Sequence, residues 1–266
     1  MELQILLIPP SLAGWMHSRP TMSNNSVLLA IWNDIAPERV DEYEAWHTLE
    51  HVPERVWVPG FERATRYVAC GSAHPAYLTL YEVESLDVLR TPPYVDLVDN
   101  PTDWSASMRP SFANFLRQPC HVIASAGYVS GGSLLASRFA LPERQSAARL
   151  SNLAEMLFAR GTQLALTKVQ IGEVASAGPQ TLTNTGPKSD GVEYLAIVEA
   201  ATESGATQLS ALLDEAACGL LDGALYRTEA VYRFASRVEH ADVEALRRPL
   251  QRSDLMSQGH ETTSGS

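Results

Sequence analysis

The sequence predicts an α+β protein made of two ferredoxin-like units in one chain, together forming a pseudo-dimeric α+β barrel. Three observations carry this reading. Strand-like and helical stretches follow one another as β-α-β-β-α-β through residues 26–128. The same order returns between residues 134 and 237. An open four-stranded sheet with helices on one side leaves its other face bare, and two such sheets can cover each other. Identity between the halves is low, so the repeat rests on element order and length.

In the first half, residues 26–32 form a short apolar run with β-branched members, read as a buried strand. A helix follows. Pro37 suits its first position, and Glu38, Asp41 and Glu42 occupy the first turns, where the helix dipole favours acid. Pro53 has no N–H for the Leu49 carbonyl, so the helix is expected to end or kink there. Residues 61–70 and 76–83 read as strands around a turn at 71–75. A short helix is expected over 85–90, an irregular stretch over 94–101, and a helix over 103–116 with Thr102 as cap and Pro110 as kink. Residues 119–128 close the half as a strand.

In the second half, strands are expected at 134–141, 163–174, 192–199 and 223–237, with helices at 142–160 and 203–218. Pro142 and Gly161 mark the ends of the first helix. Residues 175–191 are rich in Gly, Pro, Thr and Asn and read as a loop. The expected organisation is an extension over 1–21 outside the core, a first half over 22–128 carrying the site, a second, structural half over 129–238, and a polar tail over 239–266.

The first helix concentrates the titratable chemistry. At about 100° per residue, Val40, Tyr43, Glu44, His47 and His51 share one face, with Glu50 on its edge. If the helix ends at Pro53, His51 lies at its C-terminus, where the dipole favours imidazolium. His51 then reads as a general acid or oxyanion donor, with His47 as its basic partner. Glu50 is the third catalytic candidate. Tyr43, Arg66, Tyr67 and Asn33 are candidates for holding substrate. Tyr81 and Trp104 are counted with them, although Trp57, Tyr81, Trp104 and Phe112 read more readily as core.

Composition bounds the partners. The chain has 266 residues, is 45% hydrophobic and carries a net charge of −11, which argues against nucleic acid. No apolar run is long enough for a membrane span. Cys70, Cys120 and Cys218 lie in no metal or redox spacing and read as reduced residues of a cytoplasmic protein. The expected partner is a small-molecule substrate, and a homodimer stays open. No nucleotide motif is found, and no cofactor is expected.

His51-Val52-Pro53, then Pro59-Gly60-Phe61, then Arg66-Tyr67, resembles the pattern of the EthD-like branch of the dimeric α+β barrel superfamily. The match spans about residues 26–126, and the second half matches in topology alone. The resemblance implies a pocket between the first-half sheet and its helices, and cofactor-free chemistry of lyase, isomerase or monooxygenase type on an aromatic or polyketide-like compound. His51 stands at the motif histidine, and His47 and Glu50 lie outside the general pattern. The second half has no histidine on its first helix, so one site per chain is expected. Separately, His47-x-x-Glu50-His51 matches a zinc-peptidase segment, but its third ligand is not recognisable. A metal-dependent hydrolase and a non-catalytic ligand-binding barrel are the alternatives.

Overall fold

The computed structural model describes residues 26–217 and 219–245. The expected 1–21 extension, Cys218 and the tail from 246 onward lie outside the described residues. The strands are β1 (Val27–Ile35), β2 (Phe61–Ala69), β3 (Tyr77–Val83), β4 (Phe112–Gly127), β5 (Ser133–Leu141), β6 (Leu166–Val174), β7 (Val192–Ala200) and β8 (Tyr226–Glu239). They close an antiparallel barrel in the order β1-β3-β2-β8-β5-β7-β6-β4. Each half therefore holds its own four strands side by side, with the second and fourth at the edges. Two equivalent seams join the halves: β2 pairs with β8, and β6 with β4. Closure leaves no bare edge among the described strands.

Both faces of β1, β3, β5 and β7 are largely buried, which is why these strands read as nearly unbroken apolar runs, whereas β8 is mostly exposed or half-buried. Leu28, Ala30 and Trp32 of β1 point into the barrel, meeting Leu80, Leu134 and Ile197. Val27 and Leu29 point outward and pack under the first-half helices. On the second half, α5 (Ala147–Arg160) and α6 (Glu203–Ala216) cover the sheet. Leu150, Leu153 and Leu157 of α5 pack against Val169, Ile171 and Tyr194, so the space beneath that helix is filled by core.

The two long helices of the second half start at side-chain caps. Ser146 accepts from the Arg149 N–H at 3.2 Å and Thr202 from that of Gly205 at 3.1 Å. The cap moves the expected start at Pro142 to Ala147. Other expectations change too. Residues 94–101 are largely helical, as α3 (Pro92–Asp99). The helix expected over 103–116 is only α4 (Asp103–Met108), and Pro110 falls in a tight turn that leads straight into β4. The third change bears on the site: the first helix runs through Pro53, as α1 (Val40–Trp46), a π-helical turn (His47–His51) and α2 (Val52–Val56). Short α7 (His240–Val243) follows β8. Among the described residues no helix is long and apolar enough to cross a membrane.

Candidate active site

The site is built around the π-turn. Within an α-helix the ring of Pro53 would collide with the Leu49 carbonyl and leave it without a donor. The helix absorbs this conflict by widening the preceding turn, where the Val52 N–H reaches back five residues to the His47 carbonyl. The widened turn carries both histidines. Its outer side is Leu49, 46% exposed. Arg66 of β2 clamps its inner side, pairing with Glu44 at 2.8 Å and donating to the Thr48 hydroxyl.

His47 and His51 stack face to face, with ring centroids 5.4 Å apart and planes 22° apart. Tyr43 stacks on the far side of His47 at 4.9 Å, and Trp46 packs on His51 at 4.5 Å. The Nδ1 atoms of both histidines are buried and have no hydrogen-bond partner among the described residues. Burial depresses both imidazoles well below the ordinary value near 6.5. The guanidinium charges of Arg66 and Arg55 add to the effect at His47, where a proton on His51 would also be repelled, and those of Arg55, Arg109 and Arg66 add to it at His51. This corrects the expected imidazolium. The helix does not end at His51, so no dipole stabilises a proton there, and the surrounding cations oppose one. Both rings are neutral at pH 7, and stacking replaces the hydrogen bond expected of an acid–base pair.

The histidines open onto a cavity of about 110 Å³ between the outward face of the first-half sheet and its helices. Asn33 and Tyr81 of the sheet, Trp46 of the helix and Phe112 of β4 share its wall. Gly60 turns the chain with φ +94°, where a Cβ would lie 2.5 Å from Val88, and so delivers Phe61 to the same wall. Sequence reasoning missed three arginines that also line it: Arg55, Arg109 and Arg117. No Asp or Glu is among the described residues that line it. The second half, expected to be structural, supplies Pro179, Gln180, Thr181 and Leu182 from its long loop. These residues carry no motif. Only the barrel closure that sets β6 beside β4 brings the loop over the first-half cavity.

The structure brings together His47, His51, Asn33 and Tyr81, with Tyr43 behind them. Tyr43 donates to the Asn33 amide oxygen at 3.2 Å and thereby orients it. The other candidates stand elsewhere. Tyr67 points into the barrel with Leu78 and Tyr232, on the opposite face of the sheet, because an odd residue separation from Ala64 puts it there. Trp104 is core and donates to Glu42 at 3.0 Å. Arg66 grips the helix from below. Glu50 turns away from the cavity and accepts from the Thr102 hydroxyl at 2.5 Å, while Thr102 caps α4 through the Ser105 N–H at 3.0 Å. Its role here is to tie the π-turn to α4. Thr102→Val removes the cap and this bond together and is expected to cost about 1–3 kcal/mol in urea unfolding.

The zinc-like segment does not assemble as a metal site. Its two rings are stacked, its Glu is committed to Thr102, and among the described residues no group of three His, Cys, Asp or Glu could hold a metal. Guanidinium groups lining the cavity would repel a cation.

No protein-family model matches the chain, and no curated protein matches its sequence. Solved structures do match. An anthrone oxidase-like protein superposes with a TM-score of 0.57 at 10% identity, over 84% of this chain and 96% of its own. A proposed monooxygenase from Lactobacillus acidophilus NCFM gives 0.50 at 11% identity, over 81% and 97%. Another from Fusobacterium nucleatum gives 0.50 at 7%, over 82% and 96%. Matches of this extent run across both halves. At such identities they concern the fold, which is that of the dimeric α+β barrel proteins, here with both units in one chain.

Proposed function

We propose that the chain is a small-molecule enzyme related to the EthD-like branch, in which a neutral histidine removes a proton from an oxygenated aromatic or polyketide-like compound. The supporting observation is the stacked pair of uncharged imidazoles with unpartnered nitrogens in a cavity lined by aromatic rings and arginine. A neutral imidazole accepts a proton at pH 7, and a guanidinium beside it stabilises the enolate or phenolate that forms. Asn33, fixed by Tyr43, adds an amide donor. The anion then loses a leaving group or is reprotonated elsewhere, giving lyase or isomerase chemistry without a cofactor. The first half carries the reaction, and the second contributes scaffold and the covering loop.

A second reading is cofactor-independent oxygenation. Its first step is the same, since an electron-rich carbanion or phenolate is what reacts with O₂. The fold likeness to an anthrone oxidase-like protein is the observation that keeps it in view. One experiment addresses both. Hydroxylated aromatic ketones, anthrones and aromatic lactones are incubated with enzyme while product formation and oxygen uptake are followed. Histidine-dependent turnover without oxygen uptake supports the lyase or isomerase reading, and stoichiometric uptake supports the oxygenase. Substrate depletion that is equal in the wild type and a His47→Ala/His51→Ala double variant would refute both.

A further inference from the structure

We infer that the substrate of this site carries a carboxylate, and that Arg117 is the residue that receives it. The inference rests on the small-molecule reading above and names its substrate class. Arg117 projects from β4 opposite Ile31 of β1, on the cavity side of the sheet. It is 8% exposed. Its Nη1 donates to the Ala177 carbonyl at 2.7 Å, while Nη2 is buried and has no partner among the described residues. An unpaired buried guanidinium edge is costly, and a carboxylate satisfies it with charge-assisted bonds.

The other two arginines do different work. Arg55 pairs with Glu54 at 3.3 Å and donates to the Leu97 carbonyl, also at 3.3 Å. Arg109 donates to the Val98 carbonyl at 2.8 Å. Both bear on His51, whereas Arg117 is not among the charges that depress either histidine. Arg117 lies under the covering loop, where Gly178 leaves room: a Cβ there would lie 3.1 Å from Arg117 Nη2. Phe61, Tyr94, Phe112 and Phe115 line the cavity as well. Flat aromatic walls with one unpartnered guanidinium nitrogen, Nη2, fit an aromatic acid.

The test is direct binding by titration calorimetry, with 2-naphthoate and its uncharged analogue 2-naphthamide as probes. Wild type is expected to bind naphthoate at least tenfold more tightly than naphthamide. Arg117→Gln is expected to lose at least tenfold for naphthoate with naphthamide unchanged, and Arg117→Lys to recover part of the loss. Equal affinity of the two probes in wild type, or no naphthoate binding, would overturn the inference without reference to any variant's folding. The His47→Ala/His51→Ala protein separates this claim from the catalytic one. It should keep naphthoate preference over naphthamide even if no turnover is ever found, and loss of that preference would place the anion at the histidines instead of at Arg117.

Discussion

Replacing either cavity histidine by alanine should lower kcat/KM by about 10²- to 10⁴-fold, the usual contribution of a positioned base. His51→Ala should show the larger fall, because Arg55 and Arg109 stand beside that ring to hold the developing oxyanion. The pH profile separates a base from the acid that the sequence suggested. A base whose proton affinity is depressed stays competent through neutral pH, and its activity fades only on the acid side, below about 6.5. A general acid would give the reverse, with activity lost as pH rises through neutrality. A profile that falls between pH 6 and 8 on the alkaline side would end the neutral-base assignment.

The same depression is a statement about stability. In the unfolded chain both histidines take up protons near pH 6.5, whereas in the folded chain they resist until well below that. Where the unfolded state binds more protons, stability rises with pH. Folding should therefore be unhindered by these groups above about pH 6.5. It should weaken progressively as pH falls from there toward the folded-state values. His47→Gln, which keeps a polar group at a site 3% exposed but cannot ionise, should flatten this slope in urea titrations at pH 7 and pH 5. An unchanged slope would mean that His47 already ionises in the folded chain.

How much of this was legible in the sequence differs by residue. The tandem order of elements could be read because strands buried on both faces stay apolar throughout, as in Leu134-Leu135-Ala136 of β5. Closure into one barrel followed from the need to cover two open sheets. The histidine pair was visible as i, i+4 spacing. Its charge state was not, because that depends first on burial in the assembled fold, then on Arg66 of β2 and Arg109 beyond α4, which reach the helix from other elements, and on Arg55 of the helix itself. Tyr67 was misplaced for a related reason. In a strand with two buried faces, an aromatic residue gives no sign of which face it occupies, and register decides. Arg117 and the 179–182 loop carry no motif at all. Only the pairing of β4 with β6 across the seam sets the loop over the arginine. Composition reported a loop rich in Gly and Pro, and three-dimensional closure made it a cover.

The π-turn yields the second large effect. A π-turn is an α-helix with one residue added, so taking one residue out should restore regular winding while the flanking segments keep their packing. Leu49 is the residue to delete, since it is exposed and lies in the middle of the turn. Deletion alone would press the Pro53 ring against the carbonyl now four residues before it, at a cost of about 3 kcal/mol. The deletion is therefore combined with Pro53→Ala. Tyr43 and Trp46 on one side, and Val52 and Val56 on the other, should stay in their buried places. The double variant is then expected to melt within a few degrees of wild type. His47 and His51 would fall three residues apart instead of four, and the stack at 5.4 Å would be broken. Turnover should drop by about 10²-fold or more, the cost of misplacing a catalytic group by an ångström or so. Leu49→Ala, which leaves the turn in place, should keep both stability and rate. If the deletion variant instead retains full activity, the widened turn accommodates a proline and nothing more. If it loses both activity and folding, the turn is needed for packing, and the geometry of the histidine pair cannot be separated from it.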